Sequence, residues 1–91
     1  MSIALPGRLT LACASGELTR LQGLMAAQAG DVVVDASAVE ELDSSCVAVL
    51  LQCRREVQAR GHGFHLVQAP DKLKALMALY GVAELFGLSG R

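Results

Sequence analysis

Residues 31–35 read Asp-Val-Val-Val-Asp, and this short β-branched run between two carboxylates constrains the fold more than any other segment. Branched side chains favour extended backbone over helix. A continuous apolar run without alternation predicts a strand buried on both faces. Further on, Asp43-Ser44-Ser45 opens the longest helical pattern, predicted from Ser44 to Arg60. Its inward residues are Cys46, Val47, Leu50, Leu51, Cys53 and Val57, with the charged residues largely outside that stripe. Gly61 stops it, and Phe64 to Gln68 predicts the next strand. Strands joined through helices need crossover connections. The fold class expected is therefore α/β, with a mixed, mostly parallel β-sheet and helices packed on it.

The remaining segments fit the same plan. Ile3–Leu5, Pro6-Gly7 and Arg8–Cys13 read as a β-hairpin or a bent edge strand. Ser15 is expected to cap a helix striped by Leu18, Leu21, Leu24 and Met25 and closed by Gly30. Ala36 to Leu42 connects, with room for a short extra strand. Pro70 marks a helix start, Leu73, Leu76, Met77 and Tyr80 its stripe, and Gly81 its end. Val82 to Leu88 predicts a short terminal helix or turn. No repeat or linker stands out, so residues 1–91 are read as one domain with a radius of gyration of about 12 Å.

Composition excludes several function classes. The 91 residues are 53% hydrophobic and 19% charged, which excludes intrinsic disorder. Eight basic and nine acidic residues leave a net charge of −1, too weak a field to draw in nucleic acid or an anionic membrane. One Tyr, two Phe and no Trp make a poor base-stacking platform. The longest apolar run, Cys46 to Leu51, is far short of the roughly 20 residues that cross a bilayer. The first residues lack a basic segment, and Pro6, Gly7 and Arg8 interrupt any apolar leader, so the expected location is the cytoplasm. A high apolar content without a span points to a protein partner that covers part of the surface.

Cys13, Cys46 and Cys53 are odd in number and lack a C-x-x-C spacing, which disfavours disulfide and zinc. Cys46 and Cys53 share a helix face and read as small buried hydrophobes. His62 and His65 flank no ligand pattern, so no metal site is expected.

The informative constellation is the start of the long helix. Two hydroxyls, Ser44 and Ser45, follow the Asp43 carboxylate where backbone N–H groups are unpaired and the helix dipole is positive. Simple capping by Asp43 explains the residue types. A hydroxyl or an added phosphate is also well placed electrostatically there. A catalytic serine is disfavoured, because no histidine completes a triad and no G-x-S-x-G elbow is present. No catalytic residue and no cofactor are therefore expected.

Along most of its length the chain resembles the STAS domain, the module shared by sulphate transporters and anti-sigma-factor antagonists. Ser15-Gly16-Glu17-Leu18 resembles the family's G-E-L-D segment, and Asp35-Ala-Ser37-Ala-Val39 its D-L-S-x-V strand end. Asp43-Ser44-Ser45 with Val47 to Leu51 is similar to its D-S-S-G-L-x-x-L-L helix start. Gly61 with Phe64 to Val67 is similar to R-G-x-x-L-x-L-V, and Val82 to Phe86 to an L-x-x-L-F tail. Cys46 stands where the family glycine usually does.

The resemblance implies the STAS fold and a role in binding proteins. In anti-sigma-factor antagonists a serine kinase, also the partner, phosphorylates the second motif serine, which implies Ser45 here. In the small MlaB-type subunits of phospholipid-trafficking ABC transporters, the hydroxyl directly after the Asp matters, which implies Ser44. Asp71-Lys72 through Leu76, Leu79, Tyr80 and Val82 is similar to the D-K-V-x-x-L-A-x-L-Y-x-L of that branch. It implies partner contacts through Asp43, Ser44, Ser45, Leu79 and Tyr80, with an ATPase subunit as partner and membrane association only through the complex. Its function would be non-catalytic: support of the transporter's assembly and activity in maintaining outer-membrane lipid asymmetry.

Overall fold

The chain's computed structural model describes residues 2–87. Three strands, β1 (Ser2–Ala4), β3 (Val32–Asp35) and β5 (Phe64–Val67), form one sheet in the order β1-β3-β5. A second, two-stranded sheet pairs β2 (Arg8–Leu9) with β4 (Glu41–Leu42). Every pairing is parallel. Helices α1 (Ala14–Ala26), α2 (Ser44–Ala59) and α3 (Asp71–Leu79) make the crossovers and the final layer. A 3-10 helix over Ala83–Phe86 follows where a short terminal element was expected; Leu88 lies outside the described residues. The radius of gyration is 12.0 Å.

The hairpin alternative for residues 3–13 is not what forms. Ser2–Ala4 joins β3, while Arg8–Leu9 leaves for β4, so the chain bends at Pro6-Gly7 and serves two sheets. The Gly7 carbonyl accepts from the backbone N–H groups of both Glu40 and Glu41, which fixes the bend against the β3–β4 connection. Strand β1 is thus the bent edge strand, and the room left before Leu42 is filled by β4.

The valine run is buried on one face and only half-buried on the other. Register places Ser2, Val33 and His65 side by side, and Ile3, Val34 and Leu66 in the next row. Ile3, Val32, Val34, Phe64 and Leu66 are buried, whereas Ser2, Ala4, His65 and Val67 on the opposite face are exposed. Among the described residues the helices cover the first face, and Val33 on the second is half-buried.

Helix α2 is the centre of the core. It packs against α1, α3 and β5, and buries Cys46, Val47, Val49, Leu50, Cys53 and Val57. Contact on several sides explains why Val49, outside the expected stripe, is buried while Leu51 is only half-buried. Glu56 accepts from Gln22 of α1 at 2.7 Å and from Gln52 at 2.8 Å, so the partly buried carboxylate is satisfied. Arg54 Nε donates to the Leu85 carbonyl at 3.0 Å and ties the 3-10 segment to α2. Phe86 closes the same end, its ring edge-on to Phe64 with centroids 6.1 Å apart.

Helix α1 differs from expectation at both of its ends. Cys13, not Ser15, occupies the cap of α1, without a side-chain capping bond. A turn over Thr10–Cys13, closed by Cys13 N–H donating to the Thr10 carbonyl, starts the helix early and leaves Ser15 exposed in its first turn. Helix α1 also ends at Ala26, before Gly30, which instead takes a φ of +106° to turn the chain into β3. Pro70 caps α3, and Gly81, at φ +73°, follows its end.

Leu50 is fully buried at the middle of α2. Leu50→Ala removes the side chain the layers share and should destabilise the fold by about 2–5 kcal/mol, read by urea denaturation. Leu24→Ala, at a position 41% exposed, should cost well under half of that.

Candidate functional site

The tip of α2 is positioned by the small sheet. Leu9 of β2 pairs with Leu42 of β4, and both are buried. That pairing sets Leu11, two residues after Leu9, beside Asp43, the residue after Leu42. Asp43 is extended, with φ −140° and ψ −166°, and caps α2. Its Oδ1 accepts from the Ser45 backbone N–H at 2.9 Å, as capping predicts. Its Oδ2 accepts from the Leu11 backbone N–H at 3.1 Å. The Asp43 carbonyl takes the Cys46 N–H at 3.0 Å.

These bonds act on the charged form of the carboxylate. The Leu11 N–H first, then the Ser45 N–H, hold the Asp43 carboxyl below its usual range, with a smaller pull from Lys72 of α3. At the tip itself Ser44 is exposed, Ser45 is half-buried and Cys46 is buried. Burial pushes the thiols of Cys46 and Cys53 up to about 12, so both are protonated, inert core residues near neutral pH, as their helix face suggested.

Beside Ser45 lies a groove of about 300 Å³ between the first turns of α1 and α2. Leu11, Ala14, Ser15 and Leu18 line one wall, and Ser45, Ala48 and Val49 the other. None of these side chains is ionisable. Leu11 is 77% exposed, the most exposed large hydrophobic residue among those described. The apolar pattern of residues 8–13 suggests a strand through Leu11, but Leu11 lies in the turn before α1, and the signal for it was an apolar residue just ahead of a helix start.

The five expected contact residues fall into two patches. Asp43, Ser44 and Ser45 stand together at the α2 tip. Leu79 and Tyr80 are 75% and 52% exposed at the far end of α3, so Tyr80 leaves the inward stripe assigned to it. Helix α2 follows β3 and β4, and α3 follows the parallel strand β5, so both helices start at the C-terminal edge of the strands. Leu79 then lies roughly 10 Å along the helix axis from the start of α3.

The chemistry open to the tip is hydrogen bonding and packing. His62 and His65 flank the start of β5, where α2 ends, roughly 24 Å of helix away from Ser44 and Ser45. Neither serine therefore has an imidazole base. His65 Nε2 is 3.5 Å from Asp31 Oδ2, and Asp31 Oδ1 accepts from the Gly63 N–H at 2.8 Å. Among the described residues no three or more His, Cys, Asp or Glu side chains gather to hold a metal ion.

The α2 tip thus presents an exposed hydroxyl after a capping Asp, on a fold built from parallel strands. The family model described as the Mlab STAS domain matches residues 1–88. The chain belongs to the MlaB-type STAS domain family. STAS domains are in general non-catalytic modules that bind partner proteins. No curated protein matches the chain significantly. The α/β architecture, with every strand pairing among the described residues parallel, is consistent with the STAS fold.

The double bond acceptance by Asp43 has a pH signature. Because its folded-state pKa is depressed, its stabilisation is complete above the unfolded carboxylate range. It is lost as pH falls through that range to the folded value. Asp31, held down mainly by the Gly63 N–H, and Asp35, mainly by the Ser37 N–H, act in the same window. Asp43→Asn keeps one acceptor oxygen and loses either the cap or the Leu11 tie. The variant should melt below wild type at neutral pH, and the difference should shrink as acid protonates the wild-type carboxylate. Thermal melts across acid pH check this; a gap independent of pH would contradict it.

Proposed function

We propose that this STAS domain is the non-catalytic subunit of a phospholipid-trafficking ABC transporter of the Mla type. It docks on the ATPase subunit through the α2 tip and supports the assembly and activity of the complex in maintaining outer-membrane lipid asymmetry. It works in the cytoplasm, at the inner face of the inner membrane, held there by the complex. Phospholipid is cargo of the assembly and is not a ligand of this chain.

The observation that carries this reading is the MlaB-type family match together with the exposure of Ser44. The first hydroxyl after Asp43 is free to face a partner, while Ser45 is half-buried and its N–H is engaged by Asp43. A desolvated patch centred on Ser44 accepts a hydrogen bond and excludes charge. Leu79 and Tyr80, both exposed, offer a second apolar contact on the same chain.

The test is recovery of the tagged full chain from its own cells, with the associated proteins identified. An ABC ATPase and its permease should accompany the wild-type chain. Ser44→Asp buries an unpaired charge and should weaken that association by about 3–5 kcal/mol, more than roughly a hundredfold in Kd. Recovery of a serine kinase instead, with phosphate on Ser45 and loss of binding only in Ser45→Asp, would assign the chain to the anti-sigma-factor antagonists.

A further inference from the structure

We infer that the groove beside Ser45 receives an uncharged apolar side chain of the partner that docks on the α2 tip, and that Leu11 is the rim residue this contact buries. The inference rests on the docking reading and adds the surface that supplies its apolar core. Asp43, Ser44 and Ser45 alone are too small for a stable interface, which takes about 800 Å² from each partner. The contact must therefore spread from the tip, and two directions adjoin it. Towards α3 it meets Asp71, Lys72 and Lys74, all exposed and charged. Towards α1 it meets the groove, whose lining carries no ionisable side chain. Interface centres are depleted in Lys, Glu and Asp and packed like protein interiors, so the groove is the side a partner's apolar anchor fits.

Leu11 supplies the second argument. It is 77% exposed, yet its backbone N–H is fixed by the carboxylate that caps α2. A leucine whose backbone is already held loses less freedom on burial than one on a mobile loop. The same bond sets the spacing of the two walls, since Leu11 stands on one and Ser45 on the other. A small apolar ligand fits less well. Ligand sites enclose roughly 70–90% of their occupant, whereas exposed Leu11 and Ala48 leave this groove open along its rim.

The experiment places a photo-crosslinking residue at Leu11, Ala48 or, as a control on the far part of α2, Gln58, in the full chain in its own cells. Crosslinks to the ATPase subunit are expected from Leu11 and Ala48 and not from Gln58. Leu11→Ser should lower affinity for that subunit roughly tenfold or more with an unchanged melting temperature, since the side chain is exposed in the free chain. If Ser44→Asp releases the ATPase while Leu11 neither crosslinks nor matters, the groove inference fails and the docking reading stands. If Ser44→Asp also leaves the ATPase bound, the docking reading fails and takes the groove with it. Crosslinks from Leu11 only to a second copy of this chain would equally overturn the inference.

Discussion

The Asp43 carboxylate joins two parts of the chain that are 32 residues apart in sequence. One oxygen closes the first turn of the central helix, and the other holds the loop that leads into α1. The first bond is local to the cap, whereas the second depends on the parallel pairing of Leu9 with Leu42, which brings the two loops together. A two-stranded sheet with one residue pair in the core is weak by itself. Here its buried leucines and the shared carboxylate support each other, and the result is a fixed surface made of two helix starts. Side-chain salt bridges contribute little at this point. Arg8 and Glu41 approach to 3.5 Å on the small sheet, but both are well exposed and the pair is screened.

The rest of the packing follows from covering one sheet face only. Ile3, Val34 and Leu66 form a row under the helices, and α2 fills the space above it with contact on both flanks. Its N-terminal end must then emerge at the C-terminal edge of the strands, next to the start of α3. That geometry gathers the helix starts at one end of the molecule and sends the histidines, at the beginning of β5, to the other. Separation of the serines from the imidazoles is thus a consequence of the parallel crossovers and not of any local feature of the tip.

Much of this was legible in the sequence because the signals were local. The β-branched run gave β3, the 3.6 periodicity gave α2, and Asp before two serines gave the cap. What escaped was set by contacts distant in the chain. The face of Val33 could not be read from three valines, since it depends on which side the helices pack. The parallel pairing of Arg8–Leu9 with Glu41–Leu42 left only short runs, and Pro6-Gly7 suggested a hairpin because its partner strands were not in view. Gln68 adopts a left-handed φ of 60° between β5 and Pro70, a conformation that its residue type does not announce. The role of Leu11 was hidden for the same reason: its meaning lies in the bond to Asp43.

Cys46 shows how the core and the docking face are divided. It stands at the position where the family resemblance places a glycine, and a side chain there could have obstructed anything approaching the two serines. Cys46 is instead fully buried, its thiol protonated near neutral pH, and it belongs to the same cluster as Leu42, Leu50 and Leu73. The added atoms therefore fill the interior and leave the exterior to Ser44, Ser45 and Ala48. A side chain directed inward also resists rotation of the first helical turn, because moving it outward would open a cavity beneath it. Two constraints thus hold the tip, the carboxylate from outside and the thiol from inside. A surface fixed before contact gives up less entropy when a partner covers it, which is the physical advantage of placing a docking patch on a capped helix start.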